Sequence, residues 1–99
     1  MEFEGFDWDG GNRDKCQAHG MPLAAIESVF GAPVTILPDK ANPSGEQRYR
    51  AIGTTSDGRK AFIVFTLRAF GRGMRLRPIS ARFMHRKEVL VYEKAYPDV

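Results

Sequence analysis

Apolar side chains are densest between Lys60 and Arg68, where Ala61, Phe62, Ile63, Val64 and Phe65 run almost without a break. A short continuous apolar run of this kind predicts a central β-strand. Gln47–Thr55 before it reads as a strand, with Ser56-Asp57-Gly58 as the hairpin turn between them. Two glycines within Ala69–Gly73 mark the next turn, and Met74–Phe83 is the last strand. Val34–Leu37 is a further short strand, followed by a polar loop from Pro38 to Glu46. Toward the N-terminus, the alternation in Glu2–Trp8 predicts a short first strand. Asp9 can cap a helix over about Gly10–Ala18, which Gly20 ends. Pro22 fits a first helical position, and Leu23, Ile26 and Phe30 recur at helical spacing before Gly31 and Pro33. Met84–Ala95 is helical in character and Pro97 closes it. The expected order is a strand, two helices, a four-strand meander and a helix. This is an α+β fold in which the helices cover one face of an antiparallel sheet.

Alternation then sorts the side chains into faces. Ala61, Ile63, Phe65 and Leu67 share the core side of their strand; on the other side Phe62 and Val64 give way to Thr66 and Arg68. In Met74–Phe83 the parity flips at Pro78. Proline lacks the ladder N–H, so a bulge is expected there. With that reset, Met74, Leu76, Ile79, Ala81 and Phe83 face the core, and Arg75, Arg77, Ser80 and Arg82 share the opposite face. Arg48 and Arg50 share one parity in the preceding strand. As far as the strands can be paired, the charges on this face are all arginine.

Charge sharpens that picture. The net charge is only +3 over 99 residues, yet no acidic residue lies between Arg59 and Lys87, a stretch with nine Lys and Arg. A field of one sign on one segment attracts polyanions, and the planar guanidinium fork suits phosphate. One cysteine, Cys16, excludes an internal disulfide and a cysteine-built zinc site. No apolar run reaches the ~18–20 residues of a membrane span, and the acidic Met1-Glu2-Phe3-Glu4 is unlike a secretory leader. A single soluble, cytoplasmic domain spanning residues 1–99 is expected.

Phe6-Asp7-Trp8-Asp9, Asn12, Lys15, Cys16 and His19-Gly20 resemble the opening of the BrnT-type toxin family. So do Glu46-x-Arg48-Tyr49, Val64-Phe65-Thr66-x-Arg68, Arg77-Pro78-Ile79-Ser80-Ala81-Arg82, and Glu88 with Tyr92. The resemblance runs from Phe6 to Glu93. It implies a RelE-like fold, an endoribonuclease that cuts RNA without a metal or other cofactor, and a small cognate antitoxin that covers the active face. It also implies contact with DNA only through the antitoxin complex. One departure is Ala18, where the family often has lysine before His-Gly.

Attack of a 2′-OH on its phosphate needs a base, an acid and cations that stabilise the phosphorane. Arg68, Arg77 and Arg82 suit the last task, and His19 and His85 are the only histidines. Arg48, Lys15, Thr66, Arg75, Ser80, Glu88 and Tyr92 are the candidate RNA contacts. Simpler roles stand beside these: His19 as a helix C-cap, His85, Glu88 and Tyr92 as a polar helix flank, Trp8 as packing, and Cys16 as a small buried hydrophobe. Glu46 would pair with Arg48, either as a sheet-edge ion pair or to orient it for phosphate. Asp7 and Asp9 read as solvated acids, with a metal-binding pair as the alternative. Weighed against the enzyme is a non-catalytic RNA- or antitoxin-binding module of the same fold.

Overall fold

A computed structural model describes residues 2–40 and 43–97; part of the expected 38–46 loop lies outside them. The elements are α1 (Gly10–Gln17), α2 (Leu23–Val29), β1 (Val34–Asp39), β2 (Arg48–Thr54), β3 (Lys60–Phe70), β4 (Gly73–Phe83) and α3 (Arg86–Ala95). The strands form one antiparallel sheet in the order β1-β2-β3-β4, the expected meander. The class is α+β, as the pattern requires.

Gly58 sits at φ +88 in the β2–β3 turn, a conformation that favours glycine. Its N–H donates to the Thr55 carbonyl at 2.9 Å. The first expected strand is reduced to one parallel bridge between Phe6 and Leu76. Gly5, at φ +92, breaks the extended run. The segment still protects the free edge of β4: Glu4 N–H donates to Met74 O, Leu76 N–H to Gly5 O, and Asp7 N–H to Leu76 O. Pro22 is the N-cap of α2 rather than its first helical residue, and His85 caps α3, whose start lies two residues beyond Met84.

The bulge at Pro78 is present, with one detail changed. Val64 pairs with Ser80 and Phe65 with Pro78, so Ile79 is the extra residue. Pro78, not Ile79, is buried with the core beside Phe65. The register places Phe62, Val64, Thr66 and Arg68 of β3 opposite Arg82, Ser80, Arg77 and Arg75 of β4, and Arg50 opposite Val64.

The main core lies under α1 and α2. Cys16, Met21, Ile26 and Val29 pack on Ala51, Ile63, Phe65, Leu76 and Ala81. Burial of Phe65 alone is worth about 1.5–3 kcal/mol. The expectation that all helices share this face does not hold for α3. Tyr92 and Val89 pack with Ile52, Phe62 and Met84 on the opposite side, and Tyr92 Oη donates to Thr35 Oγ1 at 2.7 Å. The cause is the second apolar patch formed by Leu37, Ile52 and Phe62, which needs its own cover. α3 therefore shields one end of the arginine-bearing face and leaves the other open.

Candidate functional site

Helix α1 runs beside β4 and turns two sides to it. Asn12 and Cys16 are buried, and Asn12 Nδ2 donates to the carbonyls of Pro78 and Asp7, each at 2.9 Å. The carbonyl freed at the bulge thus gains a partner. Lys15 and Gly11, four residues apart, border a cleft of about 260 Å3 whose other walls include Arg48, Arg68, Arg77 and Ile79. Four of the expected cationic residues, Lys15, Arg48, Arg68 and Arg77, meet there.

The electrostatics differ from an all-arginine face, because neighbouring segments bring acids to it. Arg68 is bonded to Glu46 at 2.8 and 3.3 Å. That contact raises the guanidinium above its ordinary pKa. Glu46, expected on Arg48, is therefore engaged with Arg68. Arg77 meets Asp9 at 2.9 Å and Asp7 at 3.5 Å. Asp9 accepts the Gly11 and Asn12 N–H groups through Oδ1 and faces Arg77 through Oδ2. These contacts, the Asn12 N–H first and Arg77 next, lower its pKa. Arg50 meets Asp39 at 3.5 Å. The expected N-cap at Asp9 is present, but the ion pairs of Asp7 and Asp9 with Arg77 escaped sequence reasoning; the signal was that same N-cap, which fixes a carboxylate where the bulge delivers Arg77.

Arg48 and Lys15 differ from the other cations of the cleft. Arg48 Nε is buried without a hydrogen-bond partner. Among the described residues, no carboxylate forms an ion pair with Arg48 or Lys15.

Arg82 lies apart from this cleft. Its guanidinium holds Glu88 bidentately at 2.8 and 2.9 Å and stacks over Phe62 at 4.6 Å. Arg82, and then the His85 N–H, hold the Glu88 carboxyl down to about 2. Arg82, Ser80 and His19 border a second hollow of about 110 Å3, with Phe62 and Val64 as its apolar walls. His85 is exposed at the N-cap of α3 and does not border either hollow. Thr66 is buried and donates to Gln47 O at 2.7 Å. Arg75 stacks on Phe70 at 3.4 Å. Tyr92 is only 6% exposed, on the side of α3 that packs against the sheet. Trp8 packs at the edge of the core and donates through Nε1 to Glu27 at 2.8 Å. Cys16 is fully buried, which pushes its thiol up to about 11.

Among the described residues, no three His, Cys, Asp or Glu side chains converge as a metal site, and no helix is long and apolar enough to cross a membrane. Beside α3 runs an apolar groove of about 420 Å3 that includes Ile52, Phe62, Val91 and Tyr96. Val91 there is 72% exposed.

A four-stranded antiparallel sheet with three helices, one face of it carrying an arginine-lined cleft, is consistent with a RelE-like fold. The family model "Ribonuclease toxin, BrnT, of type II toxin-antitoxin system" matches residues 8–88, and the chain belongs to that family. No curated protein matches it in sequence.

Proposed function

We propose that this chain is an endoribonuclease toxin that cuts RNA without a metal ion: a ribose 2′-OH loses its proton and attacks the adjacent phosphate, held in the Lys15–Arg48–Arg68–Arg77 cleft, as the P–O5′ bond breaks and the 5′ oxygen leaves as a hydroxyl after taking up a proton. The observation that carries this reading is Arg48, whose buried Nε has no partner and which borders the cleft with Lys15. A phosphate entering there supplies the missing acceptor and two missing countercharges. To reach Arg68 and Arg77 it must compete with Glu46, Asp7 and Asp9. The phosphorane carries more charge than the ground-state phosphate. Displacing those acids therefore favours the transition state over the bound substrate. His19, two residues beyond the end of α1 and bordering the neighbouring hollow, would be the histidine that exchanges a proton with the ribose.

Neutralisation would come from a small antitoxin in the cytoplasm. The exposed apolar groove beside α3 supports a protein partner, and DNA would be reached only through that complex. The test is cleavage of unstructured RNA by the purified chain in the presence of EDTA. Cleavage is expected to persist in the chelator and to fall by about 10²-fold or more in Arg48→Ala and in Arg77→Ala. Full activity in both variants overturns the site. RNA binding without cleavage by the wild-type chain supports instead the non-catalytic module, which the carboxylate contacts of Arg68, Arg77 and Arg82 favour.

A further inference from the structure

The two hollows on the arginine side differ in charge. In the cleft, Arg48 and Lys15 have no carboxylate partner among the described residues, whereas Arg82, which borders the second hollow, is paired with Glu88. Two of the second hollow's walls, Phe62 and Val64, are apolar. Ser80 brings a half-buried hydroxyl that makes no hydrogen bond to a described residue. A neutral, planar group with hydrogen-bonding edges suits these walls. The volume, about 110 Å3, suits one ring system rather than a drug-sized ligand, for which pockets run to about 300–1,000 Å3.

We propose that the hollow bounded by Phe62, Val64, Ser80 and Arg82 seats a single unpaired nucleobase, that of the nucleotide whose phosphate occupies the neighbouring cleft. The assignment rests on the ribonuclease reading of that cleft and adds to it the element that reads sequence. The bulge makes the arrangement possible. Arg77 and Ser80 are three residues apart, which in a regular strand puts them on opposite faces. Ile79 absorbs the odd residue, and both pair with β3 on one face, opposite Thr66 and Val64 respectively. Those two β3 positions are about 7 Å apart along the strand, the reach of one nucleotide from phosphate to base. The Arg82 guanidinium, fixed by Glu88 and stacked on Phe62, offers a flat surface against which a base can lie. The Ser80 hydroxyl, able to donate or accept, meets the base edge. His19, which borders the same hollow, would then lie near the ribose of that nucleotide.

The test uses fluorescence anisotropy of the full chain with four short homopolymers, one per base, 2′-fluoro-substituted so that they cannot be cut. Wild-type protein is expected to bind them with Kd values spread by roughly threefold to tenfold. Ser80→Val, which removes the hydroxyl, and Val64→Phe, which fills the hollow, should compress that spread to about twofold or less. Arg48→Ala should weaken all four alike. Melting curves confirm that each variant is folded, and Ser80→Val alone decides if Val64→Phe is not. Equal binding of the four homopolymers by wild-type protein overturns the inference, as does a spread that survives in the folded variants. Cleavage of natural RNA that stays intact alongside equal binding removes the base seat and leaves the ribonuclease reading standing. A base preference that responds to Ser80→Val in a chain that never cleaves RNA does the reverse.

Discussion

Glu88 joins β4 to the start of α3 through one carboxylate. It accepts both terminal nitrogens of Arg82 from β4 and the backbone N–H of His85, which opens α3. Those bonds hold its pKa at about 2, against an ordinary value of 4.5. A carboxyl whose folded pKa is depressed contributes stability that is complete above the unfolded value and is lost as pH falls through the folded one. The window is therefore about pH 4.5 down to about pH 2. Asp9, lowered mainly by the Asn12 N–H and then by Arg77, adds to the same acid limb. Urea melts at stepped pH should show stability falling through this window, and Glu88→Gln should flatten part of the fall while leaving the part due to Asp9. An unchanged acid limb in Glu88→Gln would show that the contact with Arg82 does not persist in solution.

Between elements, the decisive feature is the joint of α1 with the β4 bulge. Asn12 supplies two hydrogen bonds there, to Pro78 O and Asp7 O, and its Oδ1 accepts the Asp9 N–H. Asn12→Ala leaves a buried carbonyl unpaired and should cost about 1–3 kcal/mol, measurable by denaturant unfolding, whereas Asn12→Asp should recover only the Asp9 contact. The bulge itself was legible because a proline sat where apolar parity reversed. The shared face of Arg75, Arg77, Ser80 and Arg82 followed from that one residue. The identity of the extra residue was not legible, because Pro78 and Ile79 are both apolar and either can fill the core position beside Phe65. The side taken by α3 left a trace: Phe62 and Val64 are apolar on the arginine side of β3, a patch that requires cover. Val89, Leu90 and Val91 run consecutively, so periodicity within α3 could not show which face was apolar. The acids opposite Arg68 and Arg77 left little trace, because Glu46 and Asp7 reach them from loops across long sequence separations.

For the whole molecule, three of the nine cations in the acid-free stretch from Arg59 to Lys87, namely Arg68, Arg77 and Arg82, fold into contact with acids from outside it among the described residues, so the part of its charge that borders the cleft is balanced locally. Arg59 is stacked on Phe83 and Arg75 on Phe70. The cations of the cleft that lack carboxylates, Lys15 and Arg48, come from outside the basic stretch. This bears on how RNA affinity should respond to salt. Each phosphate neutralised on a single strand contributes a slope of about −0.7 in log K against log salt. If all the arginines of the face acted as independent contacts, the slope would be steep. When a phosphate displaces a carboxylate from Arg68 or Arg77, one anion replaces another, and the gain in countercharge is small. The expected slope is therefore about −1.4, the value for two unbalanced cations. Lys15→Ala should reduce it by about 0.7 and weaken binding alike for every RNA sequence. Glu46→Gln should steepen it by a similar amount, because Arg68 then meets phosphate with its charge uncompensated. Anisotropy titrations of one labelled RNA across a salt series measure all three slopes. A wild-type slope near that of five or more contacts, unmoved by Glu46→Gln, would mean that the carboxylates leave the arginines in solution and that the basic stretch acts as a whole.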